Sequence, residues 1–169
     1  MPISFSTCDF CDAHKDNHSG ALRVLAPVFQ DFGGVSVFAG SVVTVRCHED
    51  NSMVKQILEK EAGEGRVLLV DGAASVHRAL MGGSIAAVAA RNGWAGVVVS
   101  GAVRDIAELR AAPMGVRALA LVPMPTSRAG QGQRDVVINV GGCTVRPGEW
   151  LYADADGMVV SDQPLHAVS

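Results

Sequence analysis

Residues 66–122 read RVLLVDGAASVHRALMGGSIAAVAARNGWAGVVVSGAVRDIAELRAAPMGVRALALV. Within them, residues 66–70, 96–100 and 116–122 are short, near-continuous apolar runs. Such runs predict strands buried on both faces, the habit of parallel sheets. Residues 84–92 place Ile85, Val88 and Ala89 on one helical face and end at Gly93. Residues 104–111 form a second helix, stopped by Pro113. Strand, helix, strand, helix, strand predicts parallel βαβ units with right-handed crossovers, and hence an α/β fold.

Upstream, Ser6 or Thr7 caps a first helix running to about Lys15. Residues 35–47 alternate, with Val35, Val37 and Ala39 and then Val43, Val45 and Cys47 on one side and Gly40 as a kink or break. They read as one bent strand or a hairpin. Asn51 or Ser52 caps a helix carrying Val54, Ile57, Leu58 and Glu61, which closes at Gly63 and Gly65. Downstream, residues 126–134 (TSRAGQGQR) read as a flexible polar loop. Short β segments follow at 136–140, 143–145, 150–153 and 158–161, separated by turns at 141–142, 147–148 and 156–157. The expected whole is one α/β domain over residues 1–169: a mixed sheet to which an antiparallel meander returns. No repeat or long linker divides it.

Composition narrows the class. Charged residues make up 18% of the 169, against about 25% in ordinary soluble proteins, so some surface is expected to be hidden by other subunits. A net charge of −3 gives no electrostatic footprint for nucleic acid or an anionic membrane. The first residues lack a basic start and an apolar core, and no apolar stretch reaches the roughly 18–20 residues of a bilayer span, so a cytoplasmic location is expected. Cys8, Cys11, Cys47 and Cys143 are too scattered for a disulfide framework. The CxxC of Cys8 and Cys11 reads as two small apolar residues on one face of a short helix. Asp154-Ala155-Asp156-Gly157 lacks the remaining ligands of a calcium loop and reads as a β-turn.

In open α/β sheets, ligands collect beyond the carboxyl ends of the strands, and two segments fall there. Residues 79–85 (ALMGGSI) lead through Gly82 and Gly83 into a helix start whose free amides suit a carboxylate or phosphate. Residues 101–108 (GAVRDIAE) place Arg104, Asp105 and Glu108 at the start of the next helix. Arg104 offers a planar fork for a carboxylate or enolate oxygen, and Asp105 a hard oxygen for magnesium or manganese. Glu108, three residues on, shares its helical face. Spacing alone favours a plainer arrangement, with Asp105 capping the helix and Arg104 in a surface ion pair. A Schiff-base mechanism needs a buried lysine, whereas Lys15, Lys55 and Lys60 all lie early in the chain in polar helix-surface contexts. His14, His18, His48, His77 and His166 are dispersed, and His77 is the one nearest the glycine turn.

From Gly83 twenty residues intervene before Arg104-Asp105, and two more before Glu108. This spacing resembles the G-x20-R-D-x2-E/D signature of the RraA-like proteins (regulator of ribonuclease activity A) and class II 4-hydroxy-4-methyl-2-oxoglutarate aldolases. The likeness extends through FGG (32–34), FAG (38–40), TVRCHEDN (44–51), VLLVDG (67–72), GWAGVVVSGAVRD, the GG-x-TVRPG stretch ending at Gly148, and YADADGMVVS. The resemblance implies an α/β fold with a swivelling β/β/α core, assembled as a homotrimer that is sometimes paired into a hexamer.

It also implies roles. Backbone amides of Gly82, Gly83, Ser84 and Ile85 would receive the substrate carboxylate. Arg104 would bind the 2-oxo acid and steady its enolate, Asp105 would hold a divalent cation (Mg2+ or Mn2+), and Glu108 would support that cation's waters. The implied reactions are cleavage of a 4-hydroxy-2-oxo dicarboxylic acid to pyruvate and decarboxylation of oxaloacetate, which share a pyruvate enolate. A metal-bound water is the favoured acid or base. The rival reading is a protein-binding inhibitor of ribonuclease E. Regulators of that type can lack the metal carboxylate, which Asp105 supplies here. A methyltransferase is disfavoured because Asp71-Gly72-Ala73-Ala74 is no glycine-rich G-x-G cofactor loop.

Overall fold

The structure is a computed structural model that describes residues 3–166. The chain enters through α1 (Thr7–His14), β1 (Leu22–Val24) and β2 (Gln30–Asp31), followed by β3 (Phe38–Arg46), α2 (Ser52–Lys60) and β4 (Val67–Asp71). Next come β5 (Ala79–Met81), α3 (Gly83–Arg91), β6 (Gly96–Val103), α4 (Ile106–Ala111) and β7 (Gly115–Leu121). The tail holds β8 (Gln133–Arg134), β9 (Ile138–Val140), β10 (Cys143–Val145), β11 (Trp150–Asp154) and β12 (Gly157–Ser161). One mixed sheet runs β1-β12-β11-β3-β4-β6-β7-β2, with β5 beside β6 and β8 beside β3, while β9 and β10 form a separate hairpin. The expected α/β fold with a mixed sheet and a returning meander is what the chain adopts.

The apolar runs are continuous because both sheet faces are covered. Leu68, Val70, Val97, Val99 and Val116 pack against Ile57, Leu58, Ile85, Ala89 and Leu109 from the helices. Their neighbours Val67, Leu69 and Val98 point the other way, onto Ile138, Val140, Val145, Leu151 and Val160. Strands β3, β4, β6 and β7 are parallel, as is the β5–β6 pair, so their carboxyl ends share one edge.

The structure corrects several boundaries. The predicted alternating strand starts at Phe38, not Val35, and is buried along almost its whole length. It is a single strand that changes partners: Phe38–Ser41 pair antiparallel with β11, and Val42–Arg46 pair parallel with β4. Gly40 does not break it. A Cβ there would collide with the Gly65 carbonyl oxygen, so the glycine permits a close backbone approach. Strand β6 runs on to Val103, so residues 101–103 belong to the strand and α4 begins only at Ile106. Strands β1, β2, β5 and β8 were not foreseen, and β8 falls within residues 126–134, which were read as a loop. At two or three residues each they are too short to show a period. The cysteines of α1 also divide, with Cys8 exposed and Cys11 packed against the Ala39–Tyr152–Val159 cluster.

One carboxylate ties α1 to the sheet. Asp154 accepts 2.7 Å hydrogen bonds from both the Thr7 amide and the Thr7 hydroxyl, and a third from the Asp156 amide. Burial raises its pKa, but the hydrogen bonds from Thr7, Asp156 and Gly157 outweigh this and hold it below the ordinary aspartate value. A depressed carboxyl stabilises the fold above its unfolded pKa of about 3.9, and that contribution is lost as pH falls through the lower folded value. Asp154→Ala is expected to cost about 1.5–3 kcal/mol in urea melts at pH 7. The difference from wild type should shrink as pH falls below about 4.

Candidate active site

The carboxyl edge of the parallel strands bears a cavity of about 450 Å³. Four chain segments converge on it. Strand β5 delivers Met81 and Gly82, then Ser84 and Ile85 in the first turn of α3. Strand β6 delivers Arg104 and Asp105, the segment after β3 delivers Asn51, and the segment after β7 delivers Thr126 and Arg128. The sequence-predicted Gly82, Ser84, Ile85, Arg104 and Asp105 therefore meet in one place. Asn51, Thr126 and Arg128 were not anticipated.

Asp105 precedes α4 and does not cap that helix with its side chain. It stands in the left-handed region, φ 66° and ψ 55°, a conformation costing most L-residues about 1–2 kcal/mol but tolerated by Asp and Asn. That twist turns the carboxylate back toward the glycine turn, where Oδ2 accepts from the Gly83 amide at 3.0 Å. Oδ1 has no partner among the described residues. Gly82 must be glycine for the same reason, because a Cβ would sit 2.5 Å from Asp105 Oδ2. Arg104 is braced by the Pro123 carbonyl, to which Nη1 donates at 3.2 Å. Its Nε lies 3.9 Å from Asp105 Oδ2, and both side chains are about two-fifths exposed. The ion pair that spacing favoured is thus present, but it faces a cavity.

Two expected contributions are redistributed. Gly83 does not line the cavity, since its amide is taken by Asp105. The amides of Ser84 and Ile85 remain, because α3 has no side-chain cap and the first helical amides have no intrahelical acceptor. Glu108 lies across Gly83, where a Cβ would strike its carboxylate, and it lines the adjoining groove between α3 and α4. His77 pairs with Glu49 at 3.1 Å on the surface and does not reach the cavity.

The lining chemistry is two guanidiniums, one carboxylate, two free amides, and the Asn51 and Thr126 side chains. This combination suits a small polyanion. No three His, Cys, Asp or Glu side chains converge to cage a metal among the described residues. A hard cation there would take one carboxylate and complete its shell with water and ligand oxygens, the usual habit of magnesium. Asp105, with Oδ2 anchored and Oδ1 free, fits that requirement.

Over residues 7–160 the sequence matches the family described as RraA-like: Aldolase/RraA. The chain belongs to that family. Among RraA-like relatives, it is 58% identical over 168 residues to a protein of Albidiferax ferrireducens provisionally named 4-hydroxy-4-methyl-2-oxoglutarate aldolase. That match covers 95% of this chain and 97% of the relative. The RNA-processing inhibitor RraA of Thermus thermophilis superposes with a TM-score of 0.90 at 44% identity, covering 98% of both chains. A structure from Geobacillus kaustophilus described as S-adenosylmethionine:2-dimethylmenaquinone methyltransferase gives 0.88 at 41% identity, covering 95% of this chain and 97% of that one. No helix among the described residues is long and apolar enough to cross a membrane.

Proposed function

We propose that this RraA-like chain is a divalent-metal-dependent aldolase that cleaves 4-hydroxy-2-oxo dicarboxylic acids, 4-hydroxy-4-methyl-2-oxoglutarate among them, to pyruvate, and that it also decarboxylates oxaloacetate. The carrying observation is that Arg104, Asp105 and the free amides of Ser84 and Ile85 line a single cavity at the carboxyl edge. The helix dipole and those amides would receive the C1 carboxylate. When the C3–C4 bond breaks, its electron pair stays on C3 and negative charge gathers on the C2 oxygen. Arg104, held in place by Pro123, supplies fixed positive charge there. The C4 hydroxyl proton leaves as C4 becomes a carbonyl. No His, Lys or Cys lines the cavity among the described residues, and the Asp105 carboxylate is assigned to the cation, so water takes that proton and returns one to C3 of the enolate, giving pyruvate. Arg128, with Asn51 beside it, would receive the second carboxylate. A magnesium or manganese ion on Asp105, its shell completed by water and substrate oxygens, would supply Lewis-acid polarisation of the 2-oxo group; Glu108, in the adjoining groove, lies outside this cavity. Oxaloacetate loses carbon dioxide through the same charge development. The homotrimer implied by the family resemblance belongs to this proposal.

The test is pyruvate release from oxaloacetate and from 4-hydroxy-4-methyl-2-oxoglutarate. Release should occur with magnesium or manganese, fall to background with EDTA and return on adding metal. A folded protein inert with both substrates overturns the reading. The likeness to the Thermus inhibitor would then make binding to a ribonuclease the better account.

A further inference from the structure

The segment that brings Thr126 and Arg128 to the cavity has little of its own to hold it there. Residues 127–130 are exposed, and the sequence from 126 to 134 is polar and glycine-containing. It was expected to be flexible. In the structure it is pinned, and Asp50 pins it. Asp50 is only 3% exposed, and its Oδ2 accepts from the Ala129 amide at 2.7 Å and the Gln131 amide at 3.4 Å. Its Oδ1 accepts from the Ser52 amide at 2.9 Å. The neighbours reinforce the grip: the Asn51 amide donates to Thr126 Oγ1, the Gly130 amide donates to Ser52 Oγ, and Asp50 bridges Ser127. Within the loop, Arg128 Nε approaches Asn51 Oδ1 at 3.4 Å.

Among the described residues no cationic side chain pairs with Asp50. A buried carboxylate without a counter-ion depends wholly on hydrogen-bond donors, here Ser52 and two amides of the loop. Burial raises its pKa, and the hydrogen bonds from Ser52, Ala129 and Gln131 overcome this and lower it. The carboxylate stays charged at neutral pH, and the loop stays closed on it.

We infer that Asp50 is a positioning residue for substrate specificity: by fixing residues 126–131 it presents Arg128 to the second carboxylate of a dicarboxylic 2-oxo acid. This rests on the aldolase reading. Asp50 touches no substrate itself, so its loss falls on ligands that need Arg128 and spares those that need only Arg104 and the α3 amides.

The experiment uses the whole protein with two probes, pyruvate and 2-oxoglutarate, in binding titrations, together with amide hydrogen exchange. In Asp50→Asn, exchange at Ala129 and Gln131 is expected to accelerate, and trypsin to cut faster after Arg128. Affinity for 2-oxoglutarate should drop about tenfold while that for pyruvate is unchanged. With 4-hydroxy-4-methyl-2-oxoglutarate, KM should rise and kcat stay within about twofold. Arg128→Ala should reproduce the affinity loss without altering exchange, and Asp50→Asn added to it should weaken 2-oxoglutarate no further. If Asp50→Asn fails to fold, Ser52→Ala removes the Gly130 anchor and the Ser52 hydroxyl beside Asp50, and should show the same pattern in smaller measure. Equal weakening of both probes, or exchange unchanged from wild type, overturns the proposal. A wild type that binds neither probe overturns the aldolase reading instead, a failure distinct from unchanged exchange in a protein that still binds both.

Discussion

Replacing Asp105 with asparagine is expected to reduce pyruvate release by about 10³-fold or more, on either substrate, without unfolding the protein. Asparagine is the informative substitution because it keeps the two structural duties of the residue. It tolerates the left-handed conformation at φ 66°, and its side-chain oxygen can still accept from the Gly83 amide. It removes only the negative charge that balances Arg104 and offers a hard ligand to a cation. The melting temperature of Asp105→Asn should therefore lie within a few degrees of wild type. Asp105→Ala, which also suffers the backbone strain, should lose activity equally and cost about 1–2 kcal/mol of stability besides. Asp105→Gly relieves that strain but also gives up the Gly83 hydrogen bond, and should be more stable than Asp105→Ala while equally inactive. Such an order would show that backbone strain is carried at this position for the sake of the carboxylate. Full activity in Asp105→Asn would remove the charge from the mechanism, and with it the case for a cation.

The second large effect is on the fold. Gly96 and Gly115 are directly paired on β6 and β7, and the ring of Phe38 lies flat over both. A Cβ on Gly96 would stand 2.5 Å from two ring carbons, and one on Gly115 would lie within the ring's own volume. Neither backbone can retreat. The Gly115 amide is bonded to Ala95 O, and Phe38 is 5% exposed at the start of the strand that links the parallel sheet to the meander. Gly115→Ala is expected to cost about 2–4 kcal/mol, the upper part of the overpacking range, because it displaces a buried aromatic ring. For a chain of this size that is a fall of roughly 6–12 °C in Tm. Combining it with Phe38→Leu should recover part of the loss, a coupling that a double-mutant cycle would measure at equal protein concentration. Purely additive losses would mean that the ring and the glycine do not meet.

The parallel core was legible because a strand covered on both faces must be apolar at every position, and RVLLV and GVVVS say so locally. The meander was legible because each of its turns carries a glycine. The edge strands β1, β2 and β5 were not, since two or three residues establish no period and their pairing depends on distant partners such as Ser161 and Ala102. In the site, Arg104 and Asp105 stood out as an unusual pair at a strand end. Their exclusion from α4 could not be read, because the left-handed turn at Asp105 goes with a contact to Gly83, twenty-two residues away.

By itself, then, the order of residues determined the α/β class, the edge at which the candidate site lies, and the Arg104–Asp105 pair. These follow from side-chain period and from short-range steric rules, which operate within a few residues. Only the tertiary structure decided which amides stay free, that Glu108 lies over Gly83, and that Asn51, Thr126 and Arg128 complete the cavity. It also turned a loop that composition marks as flexible into one held by Asp50, a residue about eighty positions away. Contacts of that range exist only once the parallel strands have aligned their carboxyl ends, and no local pattern encodes them.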